Sequence, residues 1–409
     1  MATIEEIVEE DDVRTMIALG RTHEEIALFY QNMYPFQRGL SARSVRRYCG
    51  RHNITRISDE QLNEIVFNLV GLYGHTYGRR MMQGSVRSVL GVTSGAVSQR
   101  RISRALQRVA PNEYQARARD LLVRANPIPY IAPYFGYKAH FDQNEKISMY
   151  GCTHVIMVDG CSRLIVGYAA MPVKNPINIY KLIFRPAMLN FGVWDQIRTD
   201  HGLEFCLVSF VQEAIAYLRN FQIRAPCRRT PSTSNYVVER FWPEINARVN
   251  YPIKRAINIL IEQNEFDLED DTFKYCISRV TLYVSQDAVR HFISSWNHHR
   301  IPGSRGCIPI ECMISTSRTS HPPPNLIPTY IDAVDMYENN GGALTRVSEF
   351  GTDPLSQNEF LFNLREHLFH TFVSSPNDIF ANIVHGDTHL LKDCLIRFYD
   401  ITLQLSNYA

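Results

Sequence analysis

An α/β domain behind an all-α, arginine-rich front is the architecture this sequence predicts. Strand patterns begin abruptly at Lys138, after a front half that reads as capped helices. A Pro- and aromatic-rich stretch, "NPIPYIAPYFGY", stands between the two. Charge is divided the same way. From Ser41 to Tyr137 fifteen Arg and no Lys accompany five acidic residues, whereas from His321 onward four Lys plus Arg accompany eleven Asp plus Glu. The basic front suggests a polyanion-binding region and the acidic end a separate appendage; plain solvated faces are the equal alternative.

With 409 residues, 45% hydrophobic and 21% charged, the chain has the composition of two or three globular domains, which excludes large-scale disorder. Its apolar runs are too short for a membrane span, and "MATIEEIVEEDD" is acidic where a secretory signal would be basic and then apolar. The expectation is an intracellular protein with no membrane partner, nuclear if its source is eukaryotic or viral. Nine cysteines without a Cys-x-x-Cys pair argue against a disulfide framework and a zinc knuckle, leaving reduced, buried thiols.

Residues 1–56 read as a helix-turn-helix. "DDVRTMIAL" gives one helix; "THEE" is a capping box, Thr22 with Glu25, that starts a second. Ser41 caps a basic third helix carrying Arg43, Arg46 and Arg47, the kind that enters a major groove amino end first. A small protein-binding module is the alternative. Residues 57–125 read as a second helical unit, opened by a Ser58–Gln61 capping box. Two short helices there hold Arg79, Arg80, Arg87, Arg100, Arg101, Arg104 and Arg108. Residues 126–137 read as a linker.

In 138–320 the period becomes that of strands. "YKAHFDQ", "THVIMVD" and "RLIVGYAAM" are three successive strands, with an Asp-Gly hairpin turn between the last two. A helix follows in "INIYKLIFRPAMLNF", then a strand in "VWDQIRTD", a helix over 207–219, a short "FQIRA" strand and a long helix from near Asn235. That order is the order of a ribonuclease-H-like fold. It brings three distant carboxylates together: Asp142 in the first strand, Asp200 at the end of the fourth, and Glu239 on the last helix, with 38 residues between it and Asp200. Three such groups can hold a pair of Mg²⁺ ions about 3.5–4 Å apart, the spacing that stabilises attacking and leaving oxygens in phosphoryl displacement. Residues 321–409 form an acidic region whose role the sequence does not choose.

The stretches "HFDQNEK", "VIMVDGCSRLIVGY", "IRTDHGLEF" and "PSTSNYVVERFWPEINARV" resemble the integrase-like DDE transposases, a group that includes retroviral and retrotransposon integrases. The resemblance covers about residues 138–255, and more weakly "YGRRMMQGSVRS" and "FISSWNHHRIPGSRGCIPIECM". It implies that Asp142, Asp200 and Glu239 are catalytic and hold two Mg²⁺ or Mn²⁺ ions. It also implies 3′-end cleavage and strand transfer between element ends and target double-stranded DNA, by at least a homodimer. The sequence departs from retroviral integrases in having neither their His-His-Cys-Cys zinc domain nor a chromodomain-like tail. Two alternatives stay open: a domesticated or inactive integrase-derived DNA- or protein-binding factor, and a ribonuclease-H-like nuclease.

Other residues compete for roles. Asp159 is explained by hairpin geometry, and Glu204 and Glu244 read as surface carboxylates. His298 and His299 in "WNHHR" read as local packing or phosphate contacts rather than a metal site. Asn235 and Asn246 share the helical face of Glu239 and are candidates for DNA contact, while Arg240, Arg248, Lys254 and Arg255 lie on neighbouring faces as phosphate contacts.

Overall fold

The computed structural model describes residues 4–19, 21–54, 57–91, 97–119, 130–230, 235–263, 267–302 and 306–408. Residues 120–125 of the second helical unit and 126–129 of the expected linker lie outside the described residues, as do residues 231–234 of "PSTSN". No helix among the described residues is long and apolar enough to cross a membrane.

At the front, α1 (Ile4–Ile7), α2 (Glu10–Ala18), α3 (His23–Met33) and α4 (Ala42–Arg51) surround their own small core of Val13, Ile26, Tyr30, Val45 and Tyr48. The caps fall where the sequence puts them. Thr22 and Glu25 close a reciprocal box at the start of α3, and the Ser41 hydroxyl accepts from the Ser44 amide at the start of α4. Next come α5 (Asp59–Tyr73), with its Ser58–Gln61 box, α6 (Arg79–Val89), α7 (Gln99–Val109) and α8 (Pro111–Arg119). The sequence pattern did not predict α8.

The sheet holds β1 (Ala139–Ile147), β2 (Cys152–Asp159), β3 (Ile165–Met171), β4 (Ile197–Thr199) and β5 (Cys227–Arg229) in the order β3-β2-β1-β4-β5. β1 to β3 are antiparallel, whereas β4 runs parallel to β1, and β5 parallel to β4. β2 is buried along its whole length, so its alternating side chains serve two cores. Ile156 and Val158 face one, Val155 and Met157 the other.

Two strands differ from expectation. The "VWDQI" segment is buried, but only Ile197–Thr199 pairs as strand. The fifth strand is 227–229, not "FQIRA" at 221–225. The cause is Arg219, whose guanidinium donates to the carbonyls of Asp195, Gln222 and Arg224 and so takes the acceptors a ladder would need.

Helices cover both faces. One face carries α9 (Pro176–Ile179), a π-helical turn at Tyr180–Phe184, α10 (Arg185–Phe191), α11 (Cys206–Ala214) and α17 (Tyr330–Asn339). Pro186 lacks an N–H, which leaves a carbonyl one turn earlier without its usual partner and explains the π turn. The other face carries the helices of Glu239, namely α12 (Tyr236–Glu239), α13 (Trp242–Ile245) and α14 (Tyr251–Glu262), together with the 28-residue α15 (Asp271–His298). α16 (Pro309–Thr316) follows. Pro243 and Pro252 interrupt the bonding between α12 and α14 for the same reason as Pro186, so the single long helix the sequence predicts is three segments.

The packing divides near residue 57, where the α1–α4 core ends, but runs across the expected divisions at the linker and at residue 321. α5–α7, α15 and the C-terminal α18 (Glu359–Phe372), α19 (Pro376–Val384) and α20 (His389–Ser406) share one hydrophobic core, in which Val66, Met82, Phe292 and Phe398 are buried together. α6 crosses α15 at small side chains. A Cβ on Gly84 would stand 2.2 Å from the Ser295 carbonyl oxygen, and the Ser85 and Ser295 hydroxyls are 2.5 Å apart. While α17 packs on the other core, most of the acidic end, α18–α20, is therefore a helical layer of this one. Its buried Arg365 pairs in a fork with Asp353 at 2.6 and 2.8 Å, and Arg365 also donates to the Tyr275 hydroxyl of α15.

Candidate active site

β1 presents His140, Asp142 and Asn144 on one face, because side chains alternate along a strand. All three are buried, and each bonds a residue of the segment that carries Glu239. His140 Nδ1 lies 2.6 Å from Asn235 Oδ1, Trp242 Nε1 donates to Asp142 Oδ2 at 2.8 Å, and Asn250 Nδ2 donates to Asn144 Oδ1 at 3.1 Å. Asn235 also donates to the Phe141 carbonyl. This row of polar pairs fixes α12–α14 on β1, and with it the position of Glu239 relative to Asp142.

Asp200 follows β4 directly and its Oδ1 accepts from the Gly202 amide at 3.0 Å, so the turn itself holds the carboxylate. Glu239 ends α12, half-buried. Burial pushes Asp142 up to about 7; its bonds from Trp242 and the Gln143 amide oppose that shift, and the charges of Asp200 and Glu239 add to it. Glu239 is raised by burial and then by Asp200. The three carboxylates thus stand in one another's electrostatic field.

Carboxylate oxygens under mutual repulsion fit hard divalent cations, which would relieve that repulsion. The spacing departs from the ready-made set the sequence predicts. Among the described residues, no three His, Cys, Asp or Glu side chains stand close enough to hold one ion. One oxygen of Asp142 is turned to the Trp242 indole instead, which accounts for part of that departure.

The arginines divide into two groups. Arg43 and Arg47 on α4, Arg79 and Arg80 at the start of α6, Arg100 and Arg104 on α7, and Arg240 are exposed. Arg46 is exposed too, beside Glu24 at 3.4 Å. The remainder serve the fold, contrary to the expected DNA contacts. Arg87 is buried and donates to the His298 carbonyl, and Arg101 forks onto Asp59 at 2.9 and 2.7 Å. Arg248 is buried against Glu244 and the Tyr77 ring, and Asn235 is only 1% exposed, with its amide spent on β1. Asn246 is buried as well, accepting from Asn250.

Asp159 holds the β2–β3 turn, as hairpin geometry implies. Its Oδ1 accepts from the Cys161 and Ser162 amides and the Ser162 hydroxyl, its Oδ2 from the Gly136 amide and Trp194 Nε1, all between 2.8 and 3.0 Å. His298 and His299 pack locally: the Nδ1 of each faces a carbonyl of its own helix at 2.7 Å, and burial lowers His299 to about 4. Glu204 is a correction. It is buried at 9% exposure, with Oε1 unpartnered, and with Asp200 and Glu145 it contributes to the field that raises Lys174. Sequence reasoning took Glu204 for a surface carboxylate and passed over Trp242, His140 and Asn144, although the alternation in "HFDQN" could have marked the last two.

Residues 132–321 match the family of the integrase core domain, a span that includes all five strands, the three carboxylates and α16. That segment is similar to the integrase core domain of the retroviral integrase superfamily, a likeness that spans somewhat under half of the chain and points to the polynucleotidyl transferases. No curated protein matches the chain.

Proposed function

We propose that the protein is a DNA integrase or transposase that cleaves the 3′ ends of an element and joins them to target DNA. What supports this reading is that Asp142 on β1, Asp200 after β4 and Glu239 on α12, the three positions the resemblance implies, act on one another electrostatically. Divalent cations bound there, Mg²⁺ or Mn²⁺, would supply charge neutralisation at the scissile phosphate. The chain's own contribution is to hold the geometry. Trp242 orients Asp142, the Gly202 amide orients Asp200, and the row of polar pairs fixes α12. Exposed Arg43, Arg47, Arg79, Arg80, Arg100, Arg104 and Arg240 would hold DNA phosphates, the helix-turn-helix of residues 1–56 would read a groove, and two copies would bring two ends together.

A second reading has one observation in its favour. The carboxylates do not stand as a three-ligand set for one ion, which suits an integrase-derived factor that binds DNA without cutting it. Transfer of a labelled 3′-hydroxyl end into plasmid DNA, with the element's own termini and Mg²⁺ or Mn²⁺, separates the two. Product is expected on the first reading; its absence with DNA binding intact favours the second.

A further inference from the structure

A cavity of 1480 Å³ lies between the start of α6, the α12–α13 segment, the β2–β3 turn and α16. Arg79, Arg80 and Arg240 form part of its wall, and three sulfurs from separate places in the chain, Cys161, Cys307 and Cys312, form another part. Cys161 sits in the turn that Asp159 holds, with its amide bonded to that carboxylate. Cys312 is on α16, and Cys307 precedes that helix by two residues. The sulfurs of Cys161 and Cys312 lie 3.9 and 4.0 Å from the same atom, Thr316 Oγ1. Cys161 and Cys307 are also the neighbouring thiols that act on the Cys312 sulfur. A thiolate at the centre of two thiol donors is stabilised by both. Cys312 is accordingly held below the ordinary thiol range, first by Cys161 and then, against its burial, by Cys307 and Thr316.

The other thiols have no such surroundings. Cys49, Cys152, Cys276 and Cys394 are buried, and burial pushes each of them up. Reactivity follows thiolate character and access; Cys312 is buried as well, but it lines the cavity. A soft metal ion is the other ligand three sulfurs suggest, but among the described residues they do not form a metal-holding group.

We propose that Cys312 is a redox-modification site, oxidised by a hydroperoxide and resolved by Cys161 as a disulfide. The Cys312 sulfur attacks one peroxide oxygen: an S–O bond forms, the O–O bond breaks, and the departing alkoxide or hydroxide takes a proton. Sulfur is oxidised by two electrons and the peroxide is reduced. The Cys161 thiol then loses its proton and attacks the sulfenic sulfur, so that an S–S bond forms, the S–O bond breaks and water leaves. The product ties α16 to the β2–β3 turn across the cavity wall, a cross-link from the last helices of the core to the hairpin that anchors its sheet.

The test uses the reduced full-length protein, treated with hydrogen peroxide and sampled over time with dimedone to trap sulfenic acid, followed by peptide mapping. Cys312 is expected to react about tenfold faster than Cys49, Cys152, Cys276 or Cys394. In wild type the expected product is a Cys161–Cys312 disulfide. Cys161→Ser should block that product and accumulate dimedone-labelled Cys312, while Cys307→Ser should leave the disulfide in place. Oxidation spread evenly over the cysteines would overturn the proposal. So would a wild-type disulfide that excludes Cys161, or a Cys161→Ser protein with native circular dichroism whose Cys312 takes no dimedone.

Discussion

Replacing Asp159 by Ala removes the acceptor of five hydrogen bonds from the hinge between β2 and β3. The side chain is fully buried, so the Gly136, Cys161 and Ser162 amides, the Ser162 hydroxyl and the Trp194 indole cannot all turn to water. A buried donor left unpaired costs about 1 kcal/mol or more, giving roughly 5 kcal/mol for the set. Removing a buried charge returns part of that, so a net loss of about 3–5 kcal/mol is expected. Asn would keep Oδ1, with its three donors, and lose the acceptor of two, for about 2 kcal/mol. Urea unfolding followed by tryptophan fluorescence measures both, since Trp194 is one of the donors. The expected order of stability is wild type, then Asn, then Ala. An Ala variant within about 1 kcal/mol of wild type would refute the view that this carboxylate organises the turn.

Gly84→Ala places a methyl 2.2 Å from the Ser295 carbonyl and should cost about 1–3 kcal/mol in urea unfolding by forcing α6 off α15; an unchanged midpoint would contradict the close crossing. Trp242→Phe removes the donor that orients Asp142 while keeping an aromatic ring, so the Mg²⁺ concentration for half-maximal transfer should rise about tenfold with DNA affinity unchanged, read by metal titration of the strand-transfer assay. Burial pushes Asp353 up, but the Arg365 guanidinium outweighs it and holds the carboxyl below its usual range. A depressed folded value stabilises above the unfolded value of about 3.9 and is lost as pH falls through the folded value, so Asp353→Asn should flatten stability against pH in that acid window, measured by urea titrations at stepped pH. Replacing Arg43 and Arg47, or Arg100 and Arg104, by Ala should reduce the slope of log DNA affinity against log salt by about 0.9 for each phosphate no longer neutralised, with an unchanged slope excluding that pair from the DNA face.

The period of the sequence carried much of this architecture. Thr22, Ser41 and Ser58 mark helix starts through bonds only a few residues long, and such local chemistry is readable in one dimension. The order of strands and helices was readable for the same reason, and with it the places of Asp142 on β1, Asp200 after β4 and Glu239 on α12. Long-range partners were not. Arg219 takes the carbonyls that would have made 221–225 a strand, a competition between side chain and ladder with no periodic trace. Arg87, Arg101 and Arg248 look like surface cations in sequence, and only tertiary contacts with His298, Asp59 and the Tyr77 ring reveal them as structural. The acidic excess after His321 suggested an appendage because charge is counted over a whole segment, whereas docking on α15 depends on the apolar face that Leu391, Leu395 and Phe398 supply.

The most direct test of the catalytic assignment compares wild type with Glu239→Gln in strand transfer and DNA binding, side by side. Gln keeps the size of the side chain and removes the charge that, with Asp142 and Asp200, would hold divalent cations. Wild type is expected to transfer and the variant to fall by at least about 10²-fold, with DNA affinity preserved by the exposed arginines. Equal transfer by the two proteins would contradict the assignment.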